Sequence, residues 1–403
     1  MIGKAIVAGG SLGGLFSALM LRRSGWDVQV LERTPVELSG RGAGIVTHEL
    51  LNRLIVMAGA TIRDLGVPVE DRVVFDKAGA IVTRARLPQV VTSWDRVHSL
   101  LRALLAPEEY RLGIGVTGYR DMTDRVEVLT SDGGTLTTDL LVGADGFRSA
   151  VRGQMLPDVQ PVYAGYVVWR ALAPEAALPE TVRRDVFPHF GLFIPAGTQI
   201  VGYPIAGPNN DLRPGHRRYN FVWYVPVTTD ELADMLTDAS GIRHGISIPP
   251  PLVRPEIARR GMETAERLLP PPFVEILRAS EQPFFTPIYD HVSPVFAQGR
   301  VAMTGDAACV ARPHVGMGVT KAACDAEALA RHLAAAGSVA EALEGYSRER
   351  QPAGAAATDI ARQLGAMIFD AGAQNSDGRS NPNMAKIMHE TAVVPRSLDI
   401  LPA

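Results

Sequence analysis

The stretch GKAIVAGGSLGGLFSALMLRR at residues 3–23 decides how the first part of the chain folds. Residues 3–8 form a short apolar run that ends in glycines, which is typical of a buried parallel strand. Apolar residues then recur at helical spacing from Leu15 to Ser24, and Gly25 marks the end of that helix. A second strand is predicted at residues 28–31. The order strand, glycine turn, helix and strand within about 30 residues predicts a βαβ unit.

The glycine turn has the spacing of a dinucleotide-binding fingerprint. Gly9 and Gly14 occupy the first and third glycine positions, and Ser11 stands at the middle one, where glycine is usual. Backbone N–H groups at a helix N-terminus bind an anionic pyrophosphate, and the small Ser11 hydroxyl can also donate to it. Glu32 follows at about the 20-residue distance expected of the acid that binds the ribose hydroxyls. Arg33 is either a solvated charge or a contact to an adenosine phosphate. The predicted dinucleotide contacts are Gly9, Ser11, Leu12, Gly13, Gly14, Glu32 and Arg33.

Composition and charge exclude several classes of protein. The 403 residues carry a net charge of −3 and include no run of lysines and arginines that would bind nucleic acid or an anionic membrane. The two cysteines, Cys309 and Cys324, are too few for a disulfide framework and lack metal-ligand spacing. Glycines interrupt the apolar N-terminal run, and no segment reaches about 18 uninterrupted apolar residues. We expect a cytoplasmic protein that binds no metal, no nucleic acid and no membrane.

Beyond the first unit, strand-like and helical segments alternate. Strand-like stretches are predicted at residues 125–130 and 135–142. Strand formers separated by turn clusters fill residues 163–227, which predicts a separate antiparallel sheet with room for a pocket. The chain then returns to a strand at residues 301–304 and a long helix from 319 to about 336. Both ends of the chain are therefore expected to build the nucleotide-binding domain.

Two later motifs distinguish FAD from NAD as the dinucleotide. Residues 143–152, GADGFRSAVR, follow an apolar strand, and residues 305–308, GDAA, follow the strand that begins at Val301. Together with the glycine fingerprint they form three motifs in a fixed order. In these motifs the chain resembles the single-component FAD-dependent aromatic hydroxylases, the p-hydroxybenzoate hydroxylase-like flavoprotein monooxygenases. The resemblance covers roughly residues 1–350 and implies FAD as the bound cofactor.

The resemblance also implies roles for residues of the later motifs. Asp306 is expected to bind the ribitol hydroxyls of FAD, and the loop at residues 312–318 to pack beside the isoalloxazine ring. The helix that starts near Gly318 would point its N-terminus at the flavin, where a helix dipole stabilises negative charge by roughly 0.3–2 kcal/mol. Asp145 and Arg148 are expected to help bind FAD and the nicotinamide cofactor, although Arg148 and Arg152 can also be a surface charge pair. The implied flavin contacts are Arg41, Ser93, Asp145, Gly146, Gly305, Asp306, Ala307, Pro313, Gly316, Met317 and Gly318.

Four further segments are similar to the 2,6-dihydroxypyridine 3-monooxygenase branch, whose members hydroxylate N-heteroaromatic rings. These segments are residues 39–46, 163–170, 203–205, and 312–314 with 321–322. Two positions depart from the broader family. Cys309 stands where a histidine is common, and Ser93 stands where many members place a flavin-contacting arginine, a role that Arg96 can take over.

Motifs and resemblance together predict an α/β (α+β) fold, in which a Rossmann-like FAD-binding βαβ domain carries an inserted, mostly antiparallel β-sheet substrate domain and C-terminal helices. The predicted FAD-binding domain comprises residues 1–72, 90–160 and 286–345, the substrate domain residues 73–89 and 161–285, and the C-terminal helical segment residues 346–403. A homodimer is the family expectation.

The reaction implied by the resemblance is the hydroxylation of a small aromatic or N-heteroaromatic ring. NAD(P)H reduces FAD by hydride transfer, reduced flavin and O₂ form a C4a-hydroperoxide, and its terminal OH is transferred to an electron-rich ring carbon. His314, Tyr203 and His189 are the candidate contacts to the substrate hydroxyl. An aromatic residue on a strand is more often core than pocket wall, and a single histidine is more often structural. The predicted pocket walls are Trp169, Phe190, Trp223 and Tyr224.

Three alternatives remain open. A flavin-dependent halogenase or ring reductase can use the same fold, but a halogenase requires a Trp-x-Trp-x-Ile-Pro signature that is absent. A dehydrogenase that binds only a nicotinamide nucleotide would explain the N-terminus but neither the motif at residues 145–146 nor that at 305–306. A flavin-binding protein without turnover is the third, and substrate-stimulated NAD(P)H oxidation would exclude it. The chain has no second glycine-rich βαβ unit, so NADH and NADPH are not distinguished.

Overall fold

The structure is a computed structural model that describes residues 3–38, 44–369 and 383–393. The strands are β1 (Lys4–Ala8), β2 (Asp27–Glu32), β3 (Gly44–Val46), β4 (Val67–Phe75), β5 (Ile81–Ser93), β6 (Tyr110–Leu112), β7 (Val116–Asp121), β8 (Val126–Thr130), β9 (Thr135–Thr138), β10 (Leu140–Gly143), β11 (Val162–Pro174), β12 (Phe190–Phe193), β13 (Gln199–Ile205), β14 (Arg218–Pro226), β15 (Phe284–Val292), β16 (Ala297–Gln298), β17 (Val301–Met303) and β18 (Cys309–Val310). The helices are α1 (Leu12–Arg23), α2 (Glu49–Met57), α3 (Trp94–Arg102), α4 (Ala150–Met155), α5 (Glu180–Asp185), α6 (Thr229–Met235), α7 (Pro255–Leu268), α8 (Pro271–Arg278), α9 (Gly318–Ala335), α10 (Val339–Phe369) and α11 (Met384–Glu390).

A six-stranded sheet of order β16-β17-β10-β1-β2-β6 is formed by both ends of the chain. Strands β1, β2, β6, β10 and β17 pair in parallel, and β16 adds an antiparallel edge. The apolar runs of β1 and β10 are almost wholly buried, as expected of strands covered on both faces. The predicted βαβ unit is confirmed as β1–α1–β2, and α1 begins at Leu12 rather than Leu15. The α/β fold class is likewise confirmed.

The stretch predicted as one strand at residues 135–142 is two strands. β9 pairs with β8 in a small antiparallel sheet of order β7-β8-β9, whereas β10 pairs with β1. Asp139 lies between them, and its carboxylate accepts a hydrogen bond of 2.8 Å from the Lys4 N–H. The single-strand prediction was wrong because propensity alone does not reveal that the chain changes sheets.

A nine-stranded sheet of order β18-β15-β11-β14-β13-β12-β4-β5-β3 forms the second layer. Its neighbouring strands pair antiparallel except β12 and β4, which pair in parallel. The predicted antiparallel sheet is thus present, and it also takes in β3, β4 and β5. The predicted domain boundaries at residues 72/73 and 89/90 fall inside β4 and β5, and the division into domains stays a prediction.

The two faces of this sheet belong to different cores, because alternate residues of a strand point to opposite sides. Val167, Trp169 and Ala171 of β11 pack in the core that includes apolar residues of α5, α7 and α8. Tyr166 and Val168 belong to the core on the other face, together with residues of α10 and α11. The face with Tyr166 is called the inner face below. No helix among the described residues is long and apolar enough to cross a membrane.

Candidate functional site

The glycine turn between β1 and α1 leaves no room for side chains. Gly9 has a φ of 101°, and a Cβ placed on it would lie 2.4 Å from the Ala144 carbonyl oxygen. A Cβ on Gly14 would lie 1.9 Å from the Gly9 carbonyl oxygen. Ser11 precedes α1 as its N-cap residue, yet its hydroxyl makes no capping hydrogen bond. The N–H groups of the first helical turn have no intrahelical acceptors, so turn and hydroxyl together can bind an anion. The Leu12 side chain is buried, which leaves its N–H as the group that can contact a ligand.

Glu32 lies beside this turn, at the end of β2. Its carboxylate accepts hydrogen bonds of 2.8 Å from the N–H groups of Gly10 and Thr34, which fixes it next to the glycines. A cavity of about 1400 Å³ is lined by Gly9, Ser11, Glu32 and Arg33 at this end. Carboxylate oxygens have further lone pairs, so Glu32 can still accept from a ribose hydroxyl.

The carboxylate of Asp145 is used within its own turn. It accepts hydrogen bonds of 2.5 Å from the Ser149 hydroxyl and 2.7 Å from the Ala150 N–H, and so caps the start of α4. Burial raises the pKa of Asp145. Asp145 and Gly146 both line the cavity. The Asp145 carboxylate therefore stabilises this turn. Its contact with a cofactor stays a prediction.

Arg152 links the second motif to the third. It is buried, and its guanidinium donates to the carbonyl oxygens of Phe147 at 2.7 Å and Ala307 at 3.3 Å. The alternative of a surface charge pair is therefore wrong for Arg152. Arg148 is exposed and donates to the Ser247 hydroxyl at 2.7 Å. Spacing along the sequence did not identify Arg152 as a link between the motifs, because Ala307 is distant from it in the chain.

A buried ionic network holds the turn at Gly305. The Gly305 N–H donates to the Asp325 carboxylate at 3.0 Å, and the Gly305 carbonyl accepts from the Lys321 ammonium at 2.8 Å. Asp325 also pairs with Lys321 at 3.4 Å and with Arg350 at 2.9 Å. All three charged side chains are at most 5% exposed. Sequence reasoning missed Asp325 and Arg350, although Lys321 and Asp325 have the i,i+4 spacing of a helical ion pair.

The carboxylate of Asp306 is left free by this network. The residue is exposed, and its carboxylate makes no hydrogen bond within the described part of the chain. Desolvation by the neighbouring protein raises the pKa of this carboxyl group. The backbone of this turn is held in place, while the carboxylate oxygens of Asp306 remain free to accept hydrogen bonds. Such a carboxylate suits a ligand that carries neighbouring hydroxyl groups. Ala307 is fully buried and can offer a ligand no more than its backbone.

The loop at residues 312–318 leads into the open end of α9. Arg312 pairs with Asp290 at 2.6 Å, and Gly316 has a φ of 63°. A Cβ on Gly316 would lie 2.8 Å from the Ala392 Cβ, so this turn is tightly packed. A Cβ on Gly318 would meet no described atom within 4 Å, so the 18-residue helix is open at its first residue. Pro313 and Met317 lie in this loop, and Met317 is buried.

The side chains of Ser93 and Arg96 are engaged within the protein, and the contact of Ser93 with a flavin stays a prediction. The Ser93 hydroxyl accepts from the Arg96 N–H at 3.1 Å and so caps α3. The Arg96 guanidinium donates to the Arg63 carbonyl at 3.1 Å. Arg41 lies outside the described residues.

A buried aromatic cluster on the inner face contains most of the predicted substrate contacts. The His314 Nε2 lies 2.8 Å from the Tyr166 hydroxyl, and its Nδ1 lies 3.3 Å from the Gln199 amide oxygen. Burial, with the nearby Arg312 charge, lowers the pKa of His314 to about 3. His314 is therefore neutral at physiological pH, donating to Gln199 and accepting from Tyr166. The rings of Tyr224 and His314 are 4.6 Å apart.

Tyr203 extends the inner face towards β4. Its ring stacks on Phe190 at 5.1 Å, and burial raises the pKa of its hydroxyl. A Cβ on Gly44 would lie 2.4 Å from the Tyr203 ring, so the glycine allows β3 to approach it closely. Phe190, Tyr203, Tyr224 and His314 thus occupy one side of the sheet.

The remaining predicted residues lie elsewhere. Trp169 and Trp223 are on the opposite face, where Trp169 packs so closely on α7 that a Cβ on Gly261 would be 2.6 Å from its ring. Strand alternation separates them from Tyr224, which neighbours Trp223 in sequence. His189 lies near the exposed pair of Arg84 and Asp71, which affect its pKa in opposite directions. The structure therefore does not bring Trp169, Trp223 or His189 together with His314. The strand register places Trp169 and Trp223 on the face opposite to His314, so they do not line a pocket on the inner face.

Two sequence-family models match the chain, one described as FAD binding domain-like over residues 163–290 and one as FAD binding domain over residues 284–361. The chain is 34% identical over 337 residues to the 2,6-dihydroxypyridine 3-monooxygenase of Paenarthrobacter nicotinovorans, which covers 81% of this chain and 82% of that relative. The chain belongs to the FAD-dependent aromatic hydroxylases. The solved 2,6-dihydroxypyridine-3-hydroxylase of Arthrobacter nicotinovorans matches this hydroxylase with a TM-score of 0.89 at 29% identity, covering 100% of this chain and 99% of that one. A Klebsiella pneumoniae HpxO structure, complexed with FAD and uric acid, shares the fold with a TM-score of 0.78 at 22% identity, covering 96% of this chain and 93% of its own.

Three features of this hydroxylase fit FAD. Gly9 and Gly14 allow the close backbone packing that places the start of α1 directly after β1, where its N–H groups can bind a diphosphate. The Asp306 carboxylate has no partner in the described ranges and suits a polyhydroxylated chain. The helix α9 is open at Gly318, its first residue, and a helix N-terminus can stabilise negative charge on a ring placed there. The predictions of FAD as cofactor and of a flavoprotein enzyme are thereby confirmed, and the homodimer and the cytoplasmic location stay predictions.

Proposed function

We propose that this hydroxylase transfers one oxygen atom from O₂ to a small hydroxylated N-heteroaromatic ring, with NAD(P)H as the reductant. The observation that carries the proposal is the inner face, where neutral His314 and its hydrogen-bonded partner Tyr166 lie beside the ring of Tyr224, in the core that also contains Tyr203. Aromatic side chains of this kind can pack against a planar ring, and a few polar groups orient it. The similarity to 2,6-dihydroxypyridine 3-monooxygenase supports a hydroxypyridine-like substrate.

The chain's own residues would hold the cofactor at four points. Backbone N–H groups of the α1 start would bind its diphosphate, and Glu32 its ribose. Asp306 would accept hydrogen bonds from the ribityl hydroxyls, and the start of α9 would stabilise negative charge on the ring system. When bound, FAD supplies the redox chemistry, accepting hydride and delivering activated oxygen.

The protein's remaining contribution is orientation and exclusion of water. His314 and Gln199 are buried at 1% and 0% exposure, so the network that fixes the Tyr166 hydroxyl is shielded from solvent. Since the pKa of His314 is lowered to about 3, the imidazole is a neutral hydrogen-bonding group rather than a cation at working pH. We assign His314 and Tyr203 to substrate positioning. His189, beside an exposed ion pair, is left out of the mechanism.

Substrate-dependent oxidation of the nicotinamide nucleotide tests the proposal. With FAD-loaded protein, 2,6-dihydroxypyridine is expected to accelerate oxidation of NADH or NADPH by about tenfold or more, because binding the correct ring aligns the reacting groups. Oxygen uptake and mass spectrometry should show O₂ consumed and a product one oxygen atom heavier. 3-Hydroxybenzoate and urate serve as comparison rings. Equal rates with and without every ring would contradict a hydroxylase and favour a flavin-binding protein without turnover.

A further inference from the structure

Helix α2, the loop after it and the strands β4 and β5 form the walls of an apolar groove with a volume of about 740 Å³, called the α2 groove below. Three large apolar side chains that line it, Val56, Met57 and Ile62, are 51%, 41% and 42% exposed. Among the described residues, the groove shares no lining residue with the cavity at the glycine turn. Single exposed apolar residues are ordinary, but a group of them along one groove marks a surface that another segment or molecule covers.

The described part of the chain ends beside this groove. The Arg72 guanidinium donates to the Ala392 carbonyl at 3.2 Å and to the Gln89 side-chain oxygen at 2.7 Å. Gln89 lines the groove, so one guanidinium joins the groove wall to the residue before Val393, the last one described. Ten extended residues span up to about 33 Å, so residues 394–403 can reach along the groove.

Composition distinguishes residues 394–403 from the other stretches of more than two residues that lie outside the described ranges. Residues 39–43 and 370–382 contain no apolar side chain larger than proline. Residues 394–403, VPRSLDILPA, include a valine, two leucines and an isoleucine. The residue before a proline favours an extended backbone, and an extended segment is a common form of peptide bound to a protein surface.

The position of α11 gives a further reason for an anchor beyond it. This helix has seven residues, and a helix so short is not stable by itself. The Ala392 N–H donates to the His314 carbonyl at 3.0 Å, so the end of α11 contacts the loop at residues 312–318. A bound segment after Val393 would hold helix and loop together.

We propose that residues 394–403 bind in the α2 groove of their own chain, with their large apolar side chains against the exposed ones of the groove. Arg53 lines the groove, is exposed and makes no ion pair with a described residue, and Asp399 carries the opposite charge. Because an exposed ion pair contributes little energy, this pair would fix the direction of the segment rather than its affinity. The inference goes beyond the proposed function and does not depend on it.

Chemical cross-linking of the FAD-loaded full chain tests this docking. A variant with Val56→Cys and Leu398→Cys is treated with a short bismaleimide, and the linked peptides are identified by mass spectrometry. The native Cys309 and Cys324 are buried and do not compete. Since a docked segment holds its thiol at a local concentration in roughly the millimolar range, the pair is expected to link within one chain about tenfold faster than an undocked pair.

Val162→Cys combined with Leu398→Cys is the matched control, because Val162 is also an exposed valine, at 65%, and lies on β11. Linking no faster than in this control would overturn the docking. Links found only between two chains, seen as a doubled mass on a denaturing gel, would also overturn it and assign the groove to a second copy of the chain.

Peptide binding gives a second measurement that needs no cysteine. A labelled peptide of residues 394–403 is expected to bind a variant that lacks these residues. Val56→Gln in that variant should weaken binding about tenfold, the effect of removing one large apolar side chain from contact. Val162→Gln should leave the affinity unchanged. Absence of peptide binding, or undiminished binding by Val56→Gln, would contradict the proposal, and if the shortened variant does not fold, the cross-linking rates decide.

Discussion

Replacing Asp306 with alanine is expected to weaken FAD binding about 10- to 100-fold, the loss that follows removal of one or two hydrogen bonds to a charged group. The Asp306 carboxylate makes no hydrogen bond to the described parts of the chain, so its removal breaks no contact that stabilises the turn. The backbone there remains held by Arg152 and Lys321. The dissociation constant is measured by flavin fluorescence on titration of the apoprotein with FAD.

Two further variants make the Asp306 result specific. Asp158→Ala removes an exposed aspartate away from the turn and should leave FAD affinity unchanged. Asp306→Asn keeps one acceptor oxygen and is expected to fall between wild type and Asp306→Ala. Wild-type affinity in Asp306→Ala would show that this carboxylate does not bind the cofactor.

The Asp325→Ala substitution is expected to lower the free energy of unfolding by about 3–5 kcal/mol, the cost of removing one partner from a buried ion pair. It leaves the Lys321 ammonium and the Arg350 guanidinium without their shared carboxylate, and it also removes the acceptor of the Gly305 N–H. The apoprotein is unfolded with urea and followed by tryptophan fluorescence, so that FAD does not mask the loss.

The control for this network is Asp359→Ala. The Asp359 side chain is 65% exposed and pairs with Arg362 at 3.3 Å, and an exposed pair of this kind contributes about 0–1 kcal/mol. If Asp325→Ala lowers the free energy of unfolding no more than Asp359→Ala does, the charges of Lys321, Asp325 and Arg350 are solvated rather than buried. The buried network would then not hold the turn at Gly305.

The parts of the site that could be predicted from sequence are those whose geometry is local. Gly14 is required by its contact with Gly9 in the same turn, and the position of Glu32 follows from the length of one βαβ unit. Asp306 was found through a short motif directly after a strand. In each case, the residues that form this part of the site are close to one another in sequence.

The parts that could not be predicted depend on long-range packing. Arg152 contacts Ala307, and Asp325 contacts Arg350, across many residues of sequence and through the meeting of separate elements. No spacing rule relates such pairs. Their residue types also gave no signal, because a charged residue on a helix is usually solvated.

The face of the sheet to which a strand residue points is a further property that sequence alone does not determine. Trp169 and Arg170 are adjacent, and strand alternation requires that they face opposite sides of the sheet. Sequence alone does not state which side of the sheet meets the cofactor, so both Trp169 and Tyr224 are predicted as pocket walls. The structure places Trp169 against α7 and leaves Arg170 on the side of Tyr224 and His314.

A crystal structure of the FAD-loaded hydroxylase tests most directly whether both motif turns bind one cofactor. The diphosphate is expected within hydrogen-bonding distance of the N–H groups of Leu12 and Gly13, and a ribityl hydroxyl within that distance of the Asp306 carboxylate. A flavin bound elsewhere, with the glycine turn and Asp306 both out of its reach, would contradict the proposed cofactor site and the placement of the substrate on the inner face.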